Sequence, residues 1–135
     1  MAKRDQHRPV ILLADDPQVG PVMRGLFAKA GLANLLIVYQ DVVTLLDKLA
    51  QIADDSSGAQ VPCLLLVDLK TTELSSADVI EWTRQHPALS SMKIVALATS
   101  NAVKDRERAL AAGADSYLVK YPTPAELSTL VRDCS

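Results

Sequence analysis

The feature that most constrains the fold is a repeated alternation between short apolar runs and longer segments whose apolar residues recur at helical spacing. The runs have the length of β-strands, and strands that alternate with helices are typical of a parallel sheet with helical crossovers. Such crossovers are right-handed, which places helices on both faces of the sheet. The sequence therefore predicts an α/β fold, an open doubly wound parallel sheet of five strands with five helices.

Each predicted element begins and ends at a recognisable sequence signal. The predicted strands are residues 10–14, 35–39, 63–67, 93–98 and 116–119. The predicted helices are residues 18–30, a segment after Asp41, residues 76–85, residues 103–112 and a last helix that begins at Pro124. Gly31 and Gly113 are the expected helix stops, because glycine readily adopts the left-handed conformation that ends a helix. Residues 54–58 are predicted to form a polar loop.

Helical spacing also predicts which side chains face inward. In the first helix these are Val22, Leu26 and Phe27. The second helix has an apolar stripe of Val42, Leu45, Leu46 and Leu49, and the last helix has Leu127, Leu130 and Val131. These stripes predict that the helices pack against the sheet.

Composition limits the class of protein. The chain has 135 residues, of which 49% are hydrophobic and 22% charged, and we expect residues 1–135 to form one domain. The net charge of −2 leaves no basic stripe for a nucleic-acid backbone, so DNA and RNA are not expected partners. The apolar stretch at residues 9–14 is too short for a signal peptide or a membrane span. We therefore expect no membrane association and a cytoplasmic location.

The two cysteines do not suggest metal binding or a disulfide framework. Cys63 lies in an apolar run and Cys134 lies next to the last residue, so neither has a partner at the spacing of a zinc site. Both are predicted to be reduced thiols, with Cys63 in the core.

Charged residues follow three of the predicted strands. Asp15 and Asp16 follow the first strand, Asp68 the third and Lys120 the fifth. In open α/β sheets the carboxyl ends of the strands share one edge, where ligands bind. Carboxylates gathered there repel one another unless a divalent cation joins them, and an oxygen-rich, mostly hydrated site suits Mg²⁺. The pattern predicts a magnesium and phosphate site where Asp68 forms an acyl phosphate and Lys120 pairs with its oxygens.

Two motifs carry a resemblance to response-regulator receiver domains of bacterial two-component signalling. The first is AGADSYLVK at residues 112–120, and the second is ILLADDP at residues 11–17, which resembles the acidic opening motif of that family. Lys120 follows Asp68 by 52 residues, a spacing similar to that between phosphoacceptor and lysine in receivers. The long loop before the third strand and the pair His86-Pro87 are similar to single-domain regulators associated with phytochrome-type kinases.

This resemblance implies a strand order of 2-1-3-4-5 and a function in phosphorelay. A sensor histidine kinase would transfer a phosphoryl group to Asp68, with Mg²⁺ held by Asp15, Asp16, Asp68 and the backbone carbonyl of Lys70. Phosphorylation would then shift the face of helix four, strand five and helix five, which would bind a downstream protein. A weak homodimer through the last helices is also implied. Beyond self-phosphorylation and slow autodephosphorylation, no enzymatic activity is implied.

The chain departs from the receiver pattern at the residues that respond to phosphorylation. Ala98 stands where receivers usually have threonine or serine, and Thr99 follows it but should point the other way by strand alternation. Tyr117 is either a core residue or the aromatic that reports phosphorylation. Tyr121 replaces the proline usual after the lysine, so a trans bond or a strained cis bond is expected, and with either of them a displaced Lys120.

The acidic opening motif can be matched in two ways. An ungapped match puts Ala14 at the first acidic position and Asp15 at the metal-binding one, whereas a one-residue deletion before Pro17 keeps Asp15 and Asp16 as the pair. Asp16 also precedes a proline, which is common where a turn begins.

Two other functions compete with a phosphorylated receiver. One is a degenerate receiver that binds proteins without phosphorylation, which Ala98 and Tyr121 favour. The other is a phosphatase of the haloacid-dehalogenase type, which also uses an aspartate after a buried strand. That pattern fails because Lys70 occupies the position of the second aspartate, the general acid.

Overall fold

The structure is a computed structural model that describes residues 8–55, 61–69, 76–99 and 103–134. The strands are β1 (Val10–Leu13), β2 (Leu36–Tyr39), β3 (Leu64–Asp68), β4 (Lys93–Ala98) and β5 (Ser116–Val119). The helices are α1 (Val19–Lys29), α2 (Val42–Asp54), α3 (Ser76–Arg84), α4 (Val103–Ala112) and α5 (Pro124–Cys134). A short 3₁₀ turn, Pro87–Leu89, connects α3 to β4.

The five strands form one parallel sheet in the order β2-β1-β3-β4-β5. The central strand β3 pairs with β1, Leu13 lying opposite Val67, and with β4, Asp68 lying opposite Leu97. The predicted fold class and the strand order implied by the receiver resemblance are both confirmed. The order places the carboxyl ends of β1, β3, β4 and β5 side by side at one edge of the sheet.

The sheet separates two apolar cores. On one face, buried side chains of α2, α3 and α4, such as Leu45, Ile80 and Ala109, pack on the sheet. On the other face, Met23 and Phe27 of α1 pack with Leu127 and Val131 of α5. β3 is covered on both faces, which explains why its sequence is a continuous apolar run rather than an alternating one.

The predicted boundaries agree with the structure to within a few residues. The ranges 93–98, 103–112 and 116–119 match β4, α4 and β5, and Pro124 begins α5 as predicted. β1 ends one residue earlier and β2 begins one residue later than predicted, whereas β3 runs from Leu64 to Asp68. The prediction that the polar loop begins at residue 54 was wrong, because Asp54 is the last residue of α2. Residues 56–58 of that loop lie outside the described ranges.

One inward-facing residue of α1 was predicted wrongly. Val22 is exposed, and the buried apolar side chains are those of Val19, Met23 and Phe27. These three are spaced four residues apart, so they form one row along the helix, and Val22 lies off that row. The stripes of α2 and α5 are confirmed in the main, with Leu46 and Leu130 only partly buried at their margins.

The ends of the helices follow from local side-chain and backbone chemistry. Asp41 begins α2 by accepting hydrogen bonds from the Thr44 amide at 2.8 Å and the Thr44 hydroxyl at 2.9 Å. These bonds favour the charged carboxylate and hold the pKa of Asp41 below its ordinary value. Gly31 and Gly113 follow α1 and α4 with φ angles of 70° and 121°, so the predicted glycine stops are confirmed.

Cys63 is a fully buried free thiol, as predicted, while the side chain of Cys134 lies outside what the structure describes. None of the helices within the described ranges combines the length and the apolar character that crossing a membrane requires.

Candidate functional site

Asp68 is the last residue of the central strand and is buried despite its charge. Its exposed fraction is 0%. The chain stays hydrogen-bonded to β4 just after it, since the Leu69 amide donates to the Leu97 carbonyl at 2.8 Å. A carboxylate in such a place costs free energy unless it is paired or hydrogen-bonded.

Lys120 supplies a partner for Asp68. Its amide donates to the Ala98 carbonyl at 2.7 Å, which holds the residue at the end of β5. Its side chain, 10% exposed, donates from Nζ to Asp68 Oδ2 at 2.8 Å. The two residues that the sequence placed on separate strand ends are therefore in direct contact.

The peptide bond between Lys120 and Tyr121 is cis. Of the two alternatives drawn from the sequence, the trans bond is thus wrong and the cis bond is the one observed. The expected displacement of Lys120 is wrong, since Lys120 Nζ lies within hydrogen-bond distance of Asp68.

The residues of the acidic turn after β1 differ in burial and in their contacts. Leu13 pairs with Val67, so Ala14, which is fully buried, comes beside Asp68. Asp15 and Asp16 follow, and both are exposed. Asp16 Oδ1 accepts a hydrogen bond from the Gln18 amide at 2.9 Å, so this carboxylate helps to begin α1, as an aspartate before proline often does.

Oxygen donors are present at this edge, but they do not form a preassembled cage. Within the described ranges, no group of three or more His, Cys, Asp and Glu side chains is arranged to hold a metal ion. Asp16 is engaged at the start of α1, which leaves Asp15 as the carboxylate of the turn best placed for another role. Lys70, whose carbonyl the resemblance implies as a ligand, lies outside the described residues. The assignment of metal ligands stays a prediction.

The end of β4 carries a methyl group where a hydroxyl is usual in receivers. Ala98 is buried, whereas Thr99 is exposed, in agreement with strand alternation. In the part of the chain that the structure describes, the Thr99 hydroxyl makes no hydrogen bond. No described side chain therefore replaces the missing hydroxyl beside the Asp68 and Lys120 pair.

Tyr117 lies on β5 opposite Ala96, half-buried against the core formed with α2, α3 and α4. Burial, and then the negative charge of Asp105, raise the pKa of its phenol, with Arg106 acting in the opposite direction. Tyr117 is thus a neutral hydroxyl at neutral pH, and its ring is held by packing.

A network that the sequence did not indicate lies at the opposite edge of the sheet. Arg84, in the last turn of α3, donates to the carbonyls of Gly113 and Met92 at 2.9 Å each and pairs with Asp115. Asp115 Oδ2 also accepts from the Ile94 amide at 2.8 Å. The arginine thereby joins α3, the start of β4 and the turn before β5. Basic residues are common at helix ends, so Arg84 itself is not a distinctive signal. The motif that contains its partners Gly113 and Asp115 is the one sequence feature that could have indicated the network.

Sequence comparison identifies a distant relative of similar length. No protein-family model matches the chain. An uncharacterised 14.6 kDa protein from the sodA1 3′ region of Leptolyngbya boryana is 24% identical over 124 residues, which is 91% of this chain and 86% of that protein.

Solved structures of response regulators superpose closely on the chain. A response regulator in red light signalling of R. palustris has a TM-score of 0.72 and 27% identity, covering 93% of this chain and 90% of its own. The phosphorylated cyanobacterial phytochrome response regulator RcpA has a TM-score of 0.72 and 19% identity, covering 94% and 90%. The Mn²⁺-bound form of response regulator Rcp1 has a TM-score of 0.67 and 22% identity, covering 93% and 90%.

The strand order, the position of the buried aspartate and lysine, and these superpositions agree with the resemblance seen in the sequence. The chain has the fold of a CheY-like response-regulator receiver domain, with structural neighbours that include response regulators of phytochromes.

Proposed function

We propose that the chain is a receiver in two-component signalling that accepts a phosphoryl group from a sensor histidine kinase on Asp68. The observation that carries this proposal is the 2.8 Å contact between Lys120 Nζ and Asp68 Oδ2 at a buried strand end. A lysine held against a nucleophilic carboxylate can pass to the phosphoryl oxygens once the adduct forms, without a large movement. That one of the structural neighbours is a phosphorylated response regulator supports the proposal.

In the transfer step, an Asp68 carboxylate oxygen attacks the phosphorus of a phosphohistidine. The oxygen–phosphorus bond forms as the phosphorus–nitrogen bond breaks, and the electron pair of the broken bond stays on the imidazole nitrogen, which is protonated as it leaves. Lys120 first orients the carboxylate and then pairs with the new phosphoryl group. Because Asp68 is fully buried, this step requires that the carboxylate become accessible to the donor.

The residues present fit a hydrated magnesium ion better than a cage made only of protein groups. Mg²⁺ keeps several waters and is commonly held by one or two carboxylates. Asp68 and Asp15 are the candidates, with Asp16 and the Lys70 carbonyl as further ligands. When bound, the ion would neutralise charge on the transferring phosphoryl group. The Mn²⁺-bound structural neighbour supports a divalent cation in a protein of this fold.

The face formed by α4, β5 and α5 is the proposed docking surface for a downstream protein. Val103 and Leu110 of α4, Val119 of β5 and Tyr121 are large apolar residues exposed on the surface. Exposed apolar residues clustered on one face are typical of a protein interaction site. A second copy of the chain, forming a weak homodimer, would use the same face.

Phosphorylation can be tested with a small-molecule donor. We expect incubation with acetyl phosphate and Mg²⁺ to add one acid-labile phosphoryl group, detected by intact mass spectrometry. The adduct should be absent from the Asp68→Asn variant, in which a neutral amide replaces the nucleophile, and from samples with EDTA. An Asp47→Asn variant, altered at an exposed aspartate of α2, is the matched control and should be labelled like the parent. Failure to label the parent under conditions that label an ordinary receiver would contradict the proposal.

A second candidate function is supported by Ala98. A receiver without the hydroxyl at the end of β4 has no described donor to connect the phosphoryl group with the docking face. Such a chain would bind partners in the same way with or without phosphate. This degenerate receiver shares the fold of the leading proposal and differs from it in the response to phosphorylation.

Restoring the hydroxyl separates the two candidates. In the degenerate receiver, we expect beryllofluoride with Mg²⁺ to leave hydrogen exchange in α4 and β5 unchanged in the parent and to change it in Ala98→Ser. A hydrogen bond to a charged group contributes about 1.5 to 3 kcal/mol, enough to shift a two-state element roughly tenfold or more. The control is Ala96→Ser, two residues earlier on β4. If the parent responds as strongly as Ala98→Ser, the degenerate receiver is excluded.

A further inference from the structure

A cavity of about 260 Å³ lies between α2 and the edge strand β2, away from Asp68. Its floor is Ile11 of β1 and Ile37 of β2, which are paired neighbours in the sheet. Its other wall is α2, through Ile52 and the stem of Lys48, which are four residues apart and so lie on one side of the helix. We call this cavity the α2–β2 pocket.

The pocket runs parallel to the strands, from the amino ends of β1 and β3 to the carboxyl end of β2. Pro9 and Pro62 line it where β1 and β3 begin, and Tyr39 lines it where β2 ends. The interior is mostly apolar, and Ile37 and Tyr39 are only half-buried because α2 does not fully cover the edge strand. Filling an incompletely covered apolar recess of this kind with an apolar molecule is favourable, because it removes apolar surface from water.

Two polar side chains, Lys48 and Tyr39, line this recess, and within the described ranges neither side chain makes a hydrogen bond or an ion pair. Among the described residues that line the pocket, Lys48 alone is charged, and its ammonium forms no ion pair with any of the described residues. The Tyr39 hydroxyl likewise makes no hydrogen bond within those ranges. Burial raises the pKa of Tyr39, so its phenol stays a neutral hydrogen-bond donor at neutral pH. Both groups thus favour an acceptor that carries negative charge.

We propose that the α2–β2 pocket binds a small amphipathic anion, an apolar chain or ring that carries a single carboxylate. The apolar part lies on Ile11, Ile37 and Ile52, and the carboxylate pairs with the Lys48 ammonium. The size of the cavity limits the ligand to a small molecule, since ligand pockets of drug size begin at about 300 Å³. The inference does not depend on phosphorylation of Asp68.

Octanoate is the probe, and octan-1-ol, which has the same chain without the charge, is its matched comparison. Binding is followed by calorimetry and by chemical-shift changes in two-dimensional NMR spectra of the ¹⁵N-labelled protein. We expect saturable binding of one octanoate, with the largest shifts in β2 and in the part of α2 around Lys48. Octan-1-ol should bind about fivefold more weakly, the factor expected of one half-exposed ion pair.

Three variants test the location. Lys48→Met keeps the apolar stem and should weaken octanoate binding about fivefold while leaving octan-1-ol binding unchanged. Ile37→Phe, which fills the floor, should weaken the binding of both probes. Lys29→Met, at an exposed lysine in the last turn of α1, should have no effect. Non-saturable binding, equal affinity for the two probes, or equal losses in Lys48→Met and Lys29→Met would each overturn the proposal.

Discussion

Replacement of Lys120 by methionine is expected to lower the free energy of unfolding by about 3 to 5 kcal/mol, the cost of removing the cation from a buried ion pair while the buried carboxylate stays. Methionine preserves much of the apolar stem, so the loss reports on the ammonium rather than on packing. Asp68 has no exposed surface through which water could solvate its charge. The change is measured by urea unfolding with EDTA present, so that no divalent cation takes the place of the ammonium.

The double variant Asp68→Asn with Lys120→Met separates the interaction energy of the ion pair from the effect of each single substitution. We expect it to be more stable than Lys120→Met alone, because the amide carries no charge that needs a partner. The coupling free energy between the two substitutions should lie in the upper part of the range of about 0.5 to 3 kcal/mol seen for contacting residues. Additive effects of the two substitutions would mean that the ion pair contributes little to stability.

Lys104→Met is the matched control. Lys104 is an exposed lysine in the first turn of α4 and forms no ion pair with a residue that the structure describes. Its replacement should change the free energy of unfolding by no more than about 0.5 kcal/mol. The contrast tests whether a lysine is stabilising because of where it lies rather than because of its type.

The fold was predictable because its signals are local and agree with one another. The predicted bounds of β4, α4 and β5 match the structure at every residue. An apolar run predicted β4, helical spacing predicted α4, and Gly113 marked the end of α4 before β5. Val22 was misplaced because adjacent helical positions differ by only about 100° around the axis, so the spacing alone allowed either Val22 or Met23 to face inward.

The site was predictable in part. Parallel topology places Asp68 and Lys120 at one edge, and the structure adds the contact between their side chains. The sequence could not give the role of Arg84, because two of its three partners are backbone carbonyls, 29 and 8 residues away along the chain. Every residue has a backbone carbonyl, so the residue type does not show which carbonyls accept a hydrogen bond from a side chain. Only the close approach of chain segments, which depends on the whole fold, reveals them.

Replacement of Gly113 by alanine is expected to lower the free energy of unfolding by about 2 to 4 kcal/mol, since two costs act together. The φ angle of 121° lies in a region that residues with a Cβ rarely adopt. A Cβ placed there would also lie 2.6 Å from Arg84 Cγ, so the arginine stem must move. That movement strains the hydrogen bonds from Arg84 to the carbonyls of Gly113 and Met92.

Trp82, the only tryptophan of the chain, provides the fluorescence signal for the measurement. It lies on α3 near Arg84, packs against the core and contacts the His86 ring at a centroid distance of 4.2 Å. Unfolding in urea should therefore change its emission. Circular dichroism at the same urea concentrations checks that the whole domain unfolds in the same transition.

Two further variants separate the causes. Gly25→Ala, in the middle of α1, should raise the free energy of unfolding by about 0.5 to 1 kcal/mol, because nothing lies within 4 Å of the added Cβ and alanine favours a helix. Arg84→Ala removes the atom that the Gly113 Cβ would meet. In that background Gly113→Ala should retain only the backbone cost of about 1 to 3 kcal/mol. If Gly113→Ala costs the same with and without Arg84, the clash contributes nothing, and the glycine is required only for its backbone conformation.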